Sequence, residues 1–316
     1  MIVRLYRKYV PSKIRKRIYH LFLKQILKKY WYFCAWTASK FVDTCSVFFP
    51  ENEYYDAYRF SGKHGISPYP FEASLKYKDM PVEVLHDTDM DMPYVLHHGK
   101  RLYYPRDTTE KKMQTSYRAL LTEQDPESAH RYVSSYDELK GKILLDVGTA
   151  EGIFALDAIE YVEKAYLFEC NDRWMEPLNA TFTPWKDKVE IVKKYVTDRD
   201  DENSITLDTF MQGKKHDHIH IKMDIEGAEQ SALKGAKLLL TNGPSISVSM
   251  CTYHQKEDAK AISNFLASLG YTCEFTQGYF LVCAHLRKAV CRGKKIKKKV
   301  QPVKKFSSFS QKMLQL

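Results

Sequence analysis

Short apolar runs recur through the second half of the chain, at Ile143–Val147, Ala165–Phe168, Val189–Val192, Ile219–Ile225 and Ile246–Met250. Between them Ile153–Glu163, Ala228–Leu240 and Lys256–Leu269 carry apolar residues at helical spacing. Strands alternating with helices predict an α/β fold, a mostly parallel sheet with helices on both faces. Thr272–Phe275 and Tyr279–Ala284, joined by Thr276-Gln277-Gly278, predict an antiparallel hairpin that closes the sheet. Upstream, Val82–Leu85, Tyr94–Leu96 and Arg101–Tyr104 are separated by Asp87–Asp91 and by His97–Lys100, which predicts a small antiparallel meander. A helix opening near Asp107 or Thr108 then sets Met113, Tyr117, Leu120 and Leu121 on one face. At the start of the chain Ile14, Ile18, Leu21 and Phe22 alternate at helical spacing with Lys13, Arg15, Arg17 and Lys24.

Four segments follow: a basic amphipathic segment over 1–42, an α+β accessory region on the substrate side over 43–140, the α/β domain over 141–285, and a basic tail over 286–316. Charge sharpens that division. Residues 1–42 hold 11 Lys/Arg and no acid, and residues 286–316 hold 11 more and no acid. The 243 residues between them carry 27 bases against 39 acids, a net of −12, so the overall +10 belongs to the ends. Seven cysteines without C-x-x-C spacing support neither a disulfide framework nor a zinc ribbon, and a reducing compartment is the simplest reading. The longest uncharged run of the first 42 residues, Tyr30–Ser39, is too short to span a bilayer, and no signal-peptide pattern is present. A cytoplasmic location is expected.

The first strand of the α/β domain runs into Asp146-Val147-Gly148-Thr149-Ala150-Glu151-Gly152 and then into a helix. Glycines let backbone turn tightly and approach a ligand. Ala150 and Ile153 stand where the dinucleotide fingerprint wants glycine, and no G-K-[ST] follows, so neither dinucleotide nor phosphate-loop binding is indicated. What remains resembles the first motif of S-adenosylmethionine-dependent methyltransferases, whose sulfonium ligand tolerates the acid at Asp146; a plain strand–helix turn is the alternative. The next strand ends at Glu169, 17 residues beyond Gly152, where a carboxylate can accept from both hydroxyls of a ribose. Asp146, Gly148, Ala150, Gly152 and Glu169 are therefore the expected cofactor-binding residues.

The stretch Ile221-Lys222-Met223-Asp224-Ile225-Glu226-Gly227-Ala228-Glu229, with Thr206-Leu207-Asp208 before it and Cys251-Thr252-Tyr253-His254 after it, resembles the FkbM family of methyltransferases. The resemblance covers about 141–285 and implies a Rossmann-like methyltransferase sheet, S-adenosylmethionine as cofactor, and O-methylation of a sugar or other polyol-like acceptor.

Alternation sets Lys222, Asp224 and Glu226 on one strand face, and ligands of parallel sheets bind at the carboxyl ends of strands. Asp224 and His254 are the expected catalytic residues, His254 as general base and Asp224 orienting the acceptor. Glu226 and Glu229 stay open between a role in the site and an ordinary place in the first helical turn. His218 and His220 precede the binding end and read as structural, and no metal is expected, although Asp198 and Asp208 could join Asp224 around a cation. The Asn/Asp-Pro-Pro-aromatic motif of nucleobase methyltransferases is missing, which disfavours base methylation. The leading expectation is O-methylation of a sugar or surface-glycan precursor. The alternatives are methylation of RNA or protein, or a non-catalytic membrane-associated scaffold. The acidic body disfavours nucleic acid as partner, and the basic, aromatic ends suit peripheral contact with an anionic membrane.

Overall fold

The computed structural model describes residues 12, 24–47, 52–214, 217–243, 245–282 and 285–295. The amphipathic pattern around Ile14–Phe22 and the end of the chain from 296 lie outside the described residues. Among those described, no helix is long and apolar enough to cross a membrane.

Two helices, α1 (Lys24–Cys45) and α2 (Tyr55–His64), open the fold. They meet closely at Gly62, where an added Cβ would fall 2.2 Å from Ser39 Oγ. The short α3 (Leu75–Lys78) leads to a meander of β1 (Leu85–Asp87), β2 (Met92–His97) and β3 (Lys100–Tyr103), as the alternation predicts. Helix α4 (Glu110–Glu123) buries Met113, Tyr117 and Leu120. A single 3-10 turn at Tyr136–Leu139, closed by a Ser135–Glu138 capping box, then delivers the chain to the main sheet.

That sheet begins with β4 (Ile143–Val147), α5 (Ile153–Ala158), β5 (Lys164–Phe168), α6 (Asp172–Phe182) and β6 (Val189–Val192). After a two-residue ladder of β7 (Tyr195–Val196) and β8 (Ser204–Ile205) come α7 (Leu207–Met211), β9 (Ile219–Met223), α8 (Glu229–Lys234), α9 (Lys237–Asn242) and β10 (Ile246–Cys251). Helix α10 (Asp258–Ser268), β11 (Tyr271–Phe275), β12 (Phe280–Val282), β13 (His285–Arg287) and β14 (Val290–Lys295) complete the described chain.

The strand order is β11-β14-β10-β9-β4-β5-β6. Strands β6, β5, β4, β9 and β10 pair in parallel, and β14 runs antiparallel between β10 and β11. From β4 the chain builds outward on one side and later returns to the other, so the topological switch lies between β4 and β9. Ligands of open α/β sheets bind at the carboxyl ends beside such a switch.

Three expectations are corrected. The closing antiparallel partner of β11 is β14, whereas β12 and β13 form a separate hairpin. The basic tail therefore does not begin at 286. Val290, Cys291 and Gly293 are buried in the sheet, and the cations around them are put to use. Lys288 pairs with Glu53 at 2.7 Å and Lys294 with Glu138 at 3.0 Å, while Arg292 donates to Ser134 Oγ and to the Arg131 carbonyl. The helix expected over Ala228–Leu240 is also two helices. It breaks at Gly235, where a Cβ would lie 2.0 Å from the Thr197 carbonyl oxygen.

Parity along the strands sorts the core. Ile143, Leu145 and Val147 of β4, Ile219, Ile221 and Met223 of β9, and Ile246, Val248 and Met250 of β10 share one apolar layer with α7–α10. On the other face β9 shows His220 and Lys222, followed by Asp224, and β10 shows Ser247, Ser249 and Cys251. Residues 128–133 lie across that polar face: Ser249 Oγ donates to the Tyr132 carbonyl at 2.8 Å, and His130 and Tyr132 are buried. A polar strand face is stable inside a protein when its groups are paired in this way.

Candidate active site

The glycine loop is built by backbone necessity. Gly148 has φ +80°, and a Cβ there would lie 1.8 Å from the Asp224 carbonyl oxygen. Only glycine lets β4 turn this close to the end of β9. Ala150 also takes a positive φ of 46° and is held by its amide, which donates to Glu169 Oε2 at 2.9 Å. Glu169 Oε1 accepts from the Asn171 amide at 2.7 Å. A carboxylate offers about four acceptor positions, so two remain on Glu169 after both amides are bound. Gly152, φ +84°, starts α5 against Leu178 and Phe182, where a Cβ would press on both side chains at 2.9 Å.

Asp146, expected among the cofactor-binding residues, lies beneath the glycine loop. Its side chain is wholly buried under the loop, with Lys222 Nζ 2.9 Å from Oδ1. Burial raises its carboxyl above the usual range in spite of Lys222. Burial alone would depress Lys222, but Asp146 and then Asp224 outweigh it and hold its ammonium above the ordinary lysine range. Lys222 Nζ also donates to the Gly148 carbonyl at 2.5 Å. Asp146 thus braces the loop through Lys222.

Asp224 and His254 come together at the carboxyl ends of β9 and β10. His254 Nε2 is 3.4 Å from Asp224 Oδ1, and its Nδ1 is 2.9 Å from Glu229 Oε1. Glu229 is fully buried and its Oε1 also accepts from the Ile225 amide at 2.9 Å. Burial works against a charge on His254, yet Glu229, with Asp224 and Glu226, outweighs it and raises the imidazole pKa above the ordinary value of 6.5. For Asp224 burial alone would raise the carboxyl; His130, Lys222, His254 and the Tyr132 hydroxyl more than offset it, so it stays below the usual range. Tyr132 Oη donates to Asp224 Oδ2 at 2.8 Å, and His130 Nε2 lies 3.7 Å from the same oxygen and 3.0 Å from Tyr253 Oη. Arg287 donates to the carbonyls of Tyr253 and His254, fixing the loop after β10.

The structure resolves the two glutamates left open by the pattern. Glu226 has φ +55° and a side chain 92% exposed, whereas Glu229 is the buried partner of His254. Thr206 caps α7, and Asp208 accepts from the amides of Leu238 and Leu239, so the Thr-Leu-Asp piece ties helices together and does not join Asp224. His220 is a core histidine: Nδ1 bonds Ser247 Oγ at 2.9 Å, and burial, with Lys142 nearby, pushes its pKa down to about 3. His130, Tyr132 and Tyr253 are site residues that spacing alone did not point to. Two donor sets available to a divalent cation meet here, Asp224-Glu229-His254 and His130-Asp224-Cys251.

A doubly wound sheet with a glycine cradle at its switch point, a strand-end carboxylate beside it and a histidine facing an aspartate is the layout of a methyltransferase. The family described as the methyltransferase FkbM domain matches residues 45–273, and the chain belongs to this family. Its cofactor is S-adenosylmethionine. The residues fit that group: Glu169 keeps acceptor positions beside the loop, and Gly148 lets the loop turn against the end of β9. Among solved structures the chain is similar to methyltransferase FkbM from Methylobacillus flagellatus KT, at 18% identity and a TM-score of 0.40 over 59% of this chain and 55% of that one. It thus matches little more than half of that protein. It is also similar to magnesium protoporphyrin IX methyltransferase from Synechocystis PCC 6803 (12% identity, TM-score 0.40, 60% and 86% covered). A third is ribosomal protein L11 methylase from Lactobacillus delbrueckii subsp. bulgaricus (13%, 0.35, 54% and 80%). No curated protein matches the chain.

Proposed function

We propose that the protein methylates a hydroxyl oxygen of a sugar or glycan precursor, with His254 as general base. One observation carries the reading: His254 Nε2 and Asp224 Oδ1 face each other at 3.4 Å, and both are buried without a hydrogen-bond partner among the described residues. Two neighbouring hydroxyls of a polyol satisfy both atoms, one donating to Nε2 and the other to Oδ1, since a single hydroxyl carries only one proton. Glu229 holds the Nδ1 side of the ring, which leaves Nε2 as the basic nitrogen in the neutral imidazole. Tyr132 and His130 fix Asp224, which orients the hydroxyl. Gly148, Ala150, Gly152 and Glu169 would hold the cofactor, with Lys222 and Asp146 bracing the loop from below. S-adenosylmethionine, when bound, supplies a methyl group whose bond to sulfur breaks with its electrons left on sulfur as the acceptor oxygen takes the carbon. His254 receives the proton that the acceptor loses. Much of the rate comes from holding donor and acceptor in line.

Attachment to an anionic membrane surface from the cytoplasmic side belongs to the same reading. It is supported by α1, which exposes Ile26, Tyr30, Phe33 and Phe41 beside Lys29 and Lys40. Aromatic rings with cations nearby suit the headgroup boundary. Lys294 and Lys295, expected to add to that attraction, are instead bound within the fold, to Glu138 and to the Leu240 carbonyl.

The test is transfer of labelled methyl from S-adenosylmethionine into fractions of a host-cell extract. The reading expects label in carbohydrate or glycolipid, stable to mild alkali and recovered as a methyl ether. Label confined to protein or RNA overturns it.

A further inference from the structure

A cavity of about 1040 Å³ lies between the N-terminal helices, α3, α4 and the β12–β13 hairpin. It is at the upper end of the size range of small-molecule sites. Its walls are largely apolar and aromatic, with Trp31, Tyr32, Phe60, Leu75 and Tyr77 among them. Among the described residues lining it there is no Asp or Glu, although the body of the chain is acidic. Arg118 and Lys78 do line it. Arg118 Nε donates to the Met80 carbonyl at 2.7 Å, and no carboxylate among the described residues pairs with either cation. A half-buried guanidinium with free donors in a pocket without acids is suited to an anion.

The cavity borders the site already described. Tyr69 lines it and stands edge-on to the His130 ring, centroids 6.3 Å apart, and His130 Nε2 is 3.7 Å from Asp224 Oδ2. Phe280 closes the same wall against Tyr69, His130 and Tyr253. Tyr69 and, behind it, His130 thus stand between the cavity and Asp224. Trp31 and Tyr32, which also line it, are half exposed on α1 beside the exposed Tyr30 and Phe33. The apolar lining runs from the active-site wall to an aromatic surface.

From this we infer that the acceptor is an anionic amphiphile: an apolar chain lies in this cavity, its acidic group meets Arg118 and Lys78, and the part bearing the hydroxyl reaches Asp224 and His254. The inference rests on the methyl-transfer reading and narrows it, because a free sugar would leave the cavity's apolar wall unused.

Calorimetric titration of the full-length protein with octyl phosphate, decyl phosphate, inorganic phosphate and a neutral decyl ether of tetraethylene glycol, all below their micelle concentrations, tests the assignment. S-adenosylmethionine is titrated into every sample. Decyl phosphate should bind at one site. Burying two more methylenes should make it about 15-fold tighter than octyl phosphate, and it should exceed both the neutral ether and inorganic phosphate. Arg118→Gln should weaken it at least about tenfold, and Ala119→Trp, which fills the cavity, should abolish binding; both should keep cofactor affinity. Equal binding of the neutral ether, no dependence on chain length, or unchanged binding in Arg118→Gln overturns the inference. Should Ala119→Trp fail to fold, Arg118→Gln decides alone. Decyl phosphate binding without any S-adenosylmethionine binding overturns the methyl-transfer reading and with it the amphiphile's place as acceptor.

Discussion

Replacing Gly148 by alanine perturbs the contact that joins the glycine loop to the catalytic strand. The residue sits at φ +80°, where a Cβ costs about 1–2 kcal/mol. That Cβ would lie 1.8 Å from the Asp224 carbonyl oxygen and 2.8 Å from its carbon, so backbone, not a flexible side chain, must yield. Overpacking of this kind costs a further 1–3 kcal/mol or so, for a loss on the order of 2–5 kcal/mol. Gly141 supplies the control: its φ is +67°, but a Cβ there meets nothing within 4 Å. Gly141→Ala should lose only about 1–2 kcal/mol. The difference between the variants isolates the contact from the dihedral strain. Urea unfolding of both proteins, with S-adenosylmethionine titrated into each, reads stability and binding together. Gly148→Ala should be the less stable and should bind the cofactor at least about tenfold more weakly, since both Asp224 and the Lys222-held loop must shift. Equal stability of the two variants with unchanged binding would refute the reasoning.

Other perturbations reach different parts of the account. Glu169→Ala removes the acceptor of the Ala150 and Asn171 amides as well as the expected ribose contact, so calorimetry should show cofactor affinity at least about tenfold lower. For His254 to accept a proton its imidazole must be neutral, and its pKa is raised above 6.5, so the acid limb of kcat/KM should lie above that value. Glu229→Gln takes away the strongest raising partner and should move the limb down towards 6.5 in a pH–rate profile. On stability the sign is reversed: the charged His254 stabilises the fold below pH about 6.5, and that contribution is lost as pH rises through the raised folded value. Asp157 clamps the meander to the sheet domain, Oδ1 meeting His97 Nε2 at 2.8 Å and His98 Nδ1 at 3.1 Å, and Oδ2 accepting from Tyr136 at 2.9 Å. Asp157→Ala should cost about 2–4 kcal/mol in urea unfolding. Although burial opposes it, the hydrogen bond from His97 holds the Asp157 carboxyl below its usual range; its contribution is present above the unfolded pKa and fades as pH falls through the folded one.

The parallel strands were legible because each is a continuous apolar run, as burial on both faces demands. The glycine loop and Glu169 were legible for a related reason: backbone that must turn tightly leaves glycines, and a strand end leaves its acid at a fixed distance. Strand β14 escaped because Val290-Cys291-Arg292-Gly293-Lys294-Lys295 has half its residues as cations, whose partners come from distant segments. The polar face of Lys222 and Asp224 was visible as a pattern, but its cover was not. His130 and Tyr132 sit more than 90 residues upstream of Asp224, and nothing local to either segment encodes their meeting. Glu229 looked like a first-turn residue; its burial beside His254 depends on the loop after β10, which Arg287 holds from still further along.

Labelled-methyl transfer by full-length His254→Ala, with S-adenosylmethionine affinity measured on the same preparation, tests the central claim most directly. General-base catalysis contributes typically about 10²–10⁴-fold. The account predicts turnover reduced by a factor in that range while cofactor affinity stays within about twofold of wild type. Wild-type turnover in His254→Ala would contradict it.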